Sequence, residues 1–209
     1  MKVLLLHGWP LSERMWTSQV TALRNAGYDP VAPHLYGRGH SIDDWAAQLL
    51  REVYGPIVAV GASMGGYCAL ALARRSPERV LGMVLVGSRA GADSWDRRRE
   101  REGAIMELRD GRVPDDAEPD VLLEHLAQAQ EAMRDRLDLT GVVASFGGPL
   151  LVCVGDGDEM VSVEESRELA STALEGRFEV VEGAGHFPNL EEPVRFNEVL
   201  LDFLSAWPT

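Results

Sequence analysis

The sequence predicts a doubly wound α/β fold: a mostly parallel sheet of about six strands, helices on both faces, and a small helical cap. Three observations predict it. Short apolar runs rich in β-branched residues alternate with stretches of helical period along most of the 209 residues. The apolar runs end in glycine- or proline-bearing turns, as strands do where they feed a crossover helix. Between Ser88 and Gly148 the alternation stops, leaving two or three amphipathic helical patterns and no clear strand. The expected division is therefore a core at 1–87 and 149–209 with a helical cap inserted at 88–148.

Val3 to Leu6 is the first buried strand, and it runs into His7-Gly8-Trp9-Pro10. Ser12 offers an N-cap, and Met15, Trp16, Gln19, Val20 and Leu23 trace one helix face that stops near Gly27. Val31-Ala32 is a short strand between prolines. It leads into the turn-rich Tyr36-Gly37-Arg38-Gly39-His40-Ser41. Ser41 with Asp44 resembles a capping box, and Trp45, Leu49, Leu50 and Val53 give the next helix its apolar face. Ile57 to Val60 is the central strand and Tyr67 to Arg75 a strong helix sequence; Val80 to Val86 is the following strand. Leu150 to Val154 resumes the sheet. Ser162 with Glu165 caps a helix, Phe178 to Val181 is the last strand, and Pro193 opens a C-terminal helix.

Composition narrows the function. The chain is 45% hydrophobic and 25% charged, as in an ordinary globular protein. A net charge of −13 argues against nucleic acid or an anionic membrane as partner. Cys68 and Cys153 fall in apolar segments and read as buried small hydrophobes. No segment reaches the ~18 apolar residues of a membrane span, and the opening run is too short for a signal peptide, so a cytoplasmic location is expected.

The candidate chemistry lies at the strand ends. Gly61-Ala62-Ser63-Met64-Gly65-Gly66 places a G-x-S-x-G between strand and helix, the pattern of a nucleophile elbow. A glycine-rich turn capping a helix is the plain alternative for that motif alone. His7, Ser63, Asp158 and His186 each follow a strand in a separate unit, and a parallel sheet gathers such positions on one edge. A serine hydroxyl needs a base and a carboxylate to orient it, and the order Ser63, Asp158, His186 suits that chemistry. The Met64 N–H at the helix start and the Trp9 N–H are candidate oxyanion donors; Pro10 has none to give. Asp156, two residues before Asp158, is the alternative acid. Trp9 is also placed to touch substrate. His7 reads as shaping the oxyanion loop, His34 and His40 as loop packing, and His125 as a helix-surface residue. Arg97 to Arg101 reads as a solvated face paired with Glu100 and Glu102; the alternative turns one arginine inward toward a substrate carboxylate. No histidine pair at ligand spacing and no phosphate loop implies a metal or cofactor.

These stretches, with Gly37-Arg38-Gly39-His40-Ser41, Gly155-Asp156-Gly157-Asp158 and Gly183-Ala184-Gly185-His186-Phe187-Pro188-Asn189-Leu190-Glu191-Glu192-Pro193, resemble the successive signatures of α/β-hydrolase-fold enzymes. The resemblance spans the chain outside the cap and points to the 3-oxoadipate enol-lactonase-like esterases. The opening His7-Gly8-Trp9-Pro10-Leu11 is also similar to aryl esterases and cofactor-free haloperoxidases (perhydrolases). The resemblance implies Ser63 as nucleophile, His186 as base, Asp158 as its partner, and Trp9 and Met64 as oxyanion hole, acting on a small ester or lactone. Peracid formation, C–C bond hydrolysis and ligand binding without turnover are the other activities it allows. Two departures matter. The family usually carries one or two strands before the His-Gly strand, so Val31-Ala32 is expected to form the sheet edge here. His34 stands where relatives usually have an aspartate that ties down the next loop.

Overall fold

A computed structural model describes residues 1–205. In chain order the elements are β1 (Lys2–Leu6), α1 (Thr17–Asn25), β2 (Asp29–Val31), α2 (Ile42–Glu52), β3 (Ile57–Ala62), α3 (Met64–Arg75) and β4 (Val80–Val86). There follow α4 (Trp95–Arg109), α5 (Leu123–Arg134), α6 (Thr140–Ser145), β5 (Leu150–Gly155), α7 (Val163–Thr172), β6 (Gly176–Val181), α8 (Pro188–Glu191) and α9 (Pro193–Leu204). A short 3-10 turn at Glu13–Trp16 precedes α1. The six strands form one all-parallel sheet in the order β2-β1-β3-β4-β5-β6. This is the α/β-hydrolase fold expected from the sequence.

Alternation along each strand builds two cores. Leu4, Leu6, Ala59, Met83, Leu85, Leu150 and Val152 face α2, α3 and the α4–α6 segment, while Val3, Leu5, Val58, Val60, Val84, Leu151 and Cys153 face α1 and α9. That period of two, with both faces covered, makes the strands read as unbroken apolar runs. Trp16 and Phe196 are fully buried on the α1–α9 side, their rings 6.2 Å apart. Cys68 and Cys153 are buried free thiols, and burial pushes both up to about 12.

Two details differ from the sequence reading, the bounds of β2 and the cap of α2, while the expected cap at Ser162 is present. β2 runs Asp29–Val31 rather than Val31–Ala32 and includes Pro30, paired with Val3 at the sheet edge. A proline is harmless there because its missing N–H faces no neighbouring strand. Ser162 and Glu165 make a full capping box. Ser41 caps α2 by accepting from the Asp44 N–H at 3.1 Å, but its hydroxyl donates to the Asp44 carboxylate at 2.7 Å. Aspartate is one methylene shorter than glutamate, and here it bonds the cap hydroxyl instead of the cap amide.

The chain leaves β1 for β2 on one side, then crosses to β3 on the other. The carboxyl ends of β1 and β3 thus flank the point where strand order reverses, where ligand sites form in such sheets. Trp9 follows β1 and Ser63 follows β3.

Candidate active site

Ser63 bridges β3 and α3 with φ 49° and ψ −111°, and it is the non-glycine residue at positive φ among those described. Its N–H donates to the Val86 carbonyl at 2.8 Å, and its carbonyl accepts from the Ser88 hydroxyl at 2.8 Å. Such a turn is held only where its surroundings over-determine it. The flanking glycines are part of that. A Cβ on Gly61 would lie 2.3 Å from the Gly65 carbonyl oxygen, and one on Gly65 would lie 2.0 Å from that of Leu6. Both must be glycine for α3 to start this close to β1 and β3.

His186 sits beyond β6. Its Nδ1 lies 2.9 Å from Asp158 Oδ2 and 3.1 Å from Oδ1. Asp158 Oδ1 also accepts the N–H groups of Met160 at 2.8 Å and Val161 at 3.0 Å. Burial works to raise the Asp158 carboxyl, but the bond to His186 and the two amides outweigh it and hold it below the usual carboxylate range. The alternative acid is committed elsewhere: Asp156 Oδ1 accepts the Gly183 N–H at 2.8 Å, bracing the turn that carries the histidine.

Ser63, His186 and Trp9 line one cleft of about 540 Å³, together with Tyr67, Gly87, Arg89 and the α4 residues Arg97 and Arg101. Trp9 is fixed from behind, its indole donating to the Leu126 carbonyl on α5 at 3.3 Å. Met64 is the first residue of α3, so its N–H has no acceptor within the helix. A smaller space of about 60 Å³ beside Tyr67, between α2, α3 and the α5–α6 connection, contains none of Ser63, Asp158 or His186.

His7 is fully buried. Its Nε2 accepts the Leu35 N–H at 2.9 Å, which leaves Nδ1 to donate to the Gly8 carbonyl at 3.0 Å. Burial is the main reason its pKa falls to about 4, with nearby His34 adding to it against the Gly8 bond. His7, Glu13 and His34 bring their ligating atoms within 4.8 Å of one another. With both His7 nitrogens engaged, the ring offers no lone pair to a metal. His34 bonds Glu13 at 2.7 Å. The loop after it is tied down by other groups: Arg38 donates to the His34 carbonyl and pairs with Glu52 at 2.7 Å, and Trp45 donates to the Gly39 carbonyl at 3.1 Å. His40 is exposed, and half-buried His125 packs against Gly37.

Some positions carry more than the sequence reading gave them. Glu191 accepts the N–H groups on both sides of His186, Gly185 at 2.6 Å and Phe187 at 2.8 Å. Gly87, at φ 52°, would bring a Cβ within 2.8 Å of the His186 carbonyl oxygen and 3.1 Å of Asp158 Oδ2. The arginine run is not one solvated face. Arg98 pairs with Asp135 at 3.0 Å and Arg99 is exposed, but Arg97 and Arg101 turn into the cleft.

The model of the alpha/beta hydrolase family matches residues 3–199. A pimeloyl-[acyl-carrier protein] methyl ester esterase of Aromatoleum aromaticum is 39% identical over 92 residues, a match covering 41% of this chain and 36% of that protein. The enzyme of the same name from Yersinia pseudotuberculosis is 26% identical over 245 residues, covering 96% of this chain and 92% of the relative. Among solved structures, a thermophilic esterase from Thermogutta terrifontis, with malate bound, superposes with a TM-score of 0.92 at 28% identity, covering 100% of this chain and 91% of the other. With esterases among its homologues and its structural neighbours, the chain is a carboxylic ester hydrolase. It belongs to the alpha/beta hydrolase family.

Proposed function

We propose that this protein is a serine hydrolase that cleaves a small carboxylic ester or lactone through an acyl-enzyme. One observation carries the reading: Ser63, on a strained turn, and His186, bonded at 2.9 Å to a buried carboxylate, open onto the same cleft. Ser63 Oγ attacks the carbonyl carbon while His186 Nε2 takes its proton. Asp158 fixes the tautomer, with Nδ1–H donating to the carboxylate, and stabilises the imidazolium that forms. The amides of Trp9 and Met64 receive the oxyanion, each worth on the order of 3 kcal/mol of transition-state stabilisation. His186 returns its proton to the leaving alcohol, and the acyl-enzyme remains. Water, activated by the same imidazole, then releases the acid and restores Ser63. The α4–α6 segment acts as a cap that walls the cleft. Methyl esters of carboxylic acids, in the names of the curated relatives, point the same way.

Labelling with an organophosphonate followed by mass mapping tests the nucleophile, with the adduct expected on Ser63. In a panel of short-chain nitrophenyl esters Ser63→Ala should lose turnover, and full activity in that variant would sink the mechanism. Asp158→Asn should lower kcat by about 10³–10⁴-fold, as loss of the correct tautomer does elsewhere. Asp156→Asn keeps an oxygen for the Gly183 N–H and should change kcat little; the reverse ranking would move the acid to Asp156.

A further inference from the structure

Three arginines reach the cleft that holds Ser63 and His186: Arg89, Arg97 and Arg101. Two already have counter-ions. Arg89 bonds both oxygens of Glu165, at 3.2 and 3.1 Å. Arg101 pairs with the buried Asp93 and donates to Gln130 at 2.8 Å. The guanidinium of Arg97 is half-buried and makes no hydrogen bond or ion pair among the described residues. Desolvation, and then the charge of Arg89, disfavour its charged form and outweigh the opposing pull of Tyr67, Glu165 and Asp93. A cation stripped of part of its water and given no partner is costly unless a ligand completes it.

We propose that Arg97 binds a carboxylate of the substrate, so that the protein acts on an ester or lactone carrying a second, anionic group. This rests on the hydrolase reading above and narrows it. The surroundings select the kind of anion. Asp96, Glu100 and Glu159 line the same cleft, and their charges oppose a multiply charged group such as a phosphate. A single guanidinium matches a planar carboxylate through two parallel N–H···O bonds. The same face of α4 continues from Arg97 and Arg101 to the buried Ile105 and Leu108, which fixes the helix rotation that aims Arg97 inward.

The test compares monomethyl glutarate, with the carboxylate on the acyl side, with dimethyl glutarate, and 3-acetoxypropionate, with it on the alcohol side, with its methyl ester. Wild-type protein should prefer the anionic member of at least one pair by about tenfold in kcat/KM, the size of one charge-assisted contact. Arg97→Met should reduce that preference at least tenfold, mainly through KM, and Arg97→Lys should retain part of it. Arg99→Met, changing an exposed arginine on the same helix, should leave the ratio as in wild type. An equal loss on both members of each pair, or no preference at all, would overturn the inference. Binding is read separately: glutarate should raise the melting temperature of Ser63→Ala but not of Ser63→Ala with Arg97→Met, and no Arg97-dependent shift also counts against it. If no ester turns over in a Ser63-dependent way while glutarate still binds through Arg97, the hydrolase reading fails and the anion site stands.

Discussion

Glu191 holds His186 from both sides, one carboxylate oxygen on the preceding amide and the other on the following one, at 2.6 and 2.8 Å. The imidazole takes its aim from Asp158, but the backbone that carries it takes its position from Glu191. Both bonds are charge-assisted, though the group is exposed, which reduces their worth. Glu191→Ala should therefore lower kcat by about tenfold with little change in KM, in line with the 1–2 kcal/mol such contacts supply. Glu191→Gln can accept only one of the two amides and should fall between. Steady-state kinetics on a nitrophenyl ester decides it, and an unchanged kcat in Glu191→Ala would remove Glu191 from any positioning role.

The turn at Ser63 exchanges stability for reactivity. Its φ of 49° is strained for any residue with a Cβ. Ser63→Gly removes the strain along with the hydroxyl. It should raise the unfolding free energy by about 1 kcal/mol, the lower end of the cost of such conformations, while ending turnover. Ser63→Ala keeps the Cβ, so it should end turnover without that gain. Urea unfolding of the three proteins separates the cases.

The strand ends were legible because topology alone gathers them. Six apolar runs separated by helical segments imply a parallel sheet, and a parallel sheet puts Trp9, Ser63, Asp158 and His186 on one edge. What the sequence hid depends on short-range folding back. The two bonds of Glu191 exist only because Pro188–Glu191 coils into a four-residue helix, an element too short to leave a periodic trace. Asp156 and Asp158 have the same chemistry two residues apart, and only the folded chain distinguishes them, giving the Gly183 amide to Asp156 and the His186 ring to Asp158. The inward arginines did leave a trace. Arg97, Arg101, Ile105 and Leu108 are spaced by four, four and three, so the apolar face of α4 runs on into charge. An arginine run reads as solvated unless that continuation is followed.

His7 predicts how stability depends on pH. The ring is buried and neutral, and its pKa falls from an ordinary 6.5 to about 4, chiefly through desolvation. Between those values the unfolded chain binds a proton that the native protein does not, so stability decreases as pH falls through this window. Above pH 6.5 neither state is protonated and the contribution is complete. As pH falls through about 4 the native ring takes up its proton too, and well below that value both states are protonated and the contribution has been lost. The gap corresponds to roughly 3 kcal/mol. Carboxylates such as Asp158 titrate at lower pH and add their own slope, so the measurement is a difference. His7→Gln keeps an acceptor for the Leu35 N–H and cannot titrate. It should be less stable than wild type at pH 7, because a flexible amide fills the ring's site poorly. Its stability should fall less than that of wild type between pH 7 and pH 4.5, by up to about 3 kcal/mol. Parallel curves for the two proteins in urea unfolding would show that His7 exchanges its proton equally in both states.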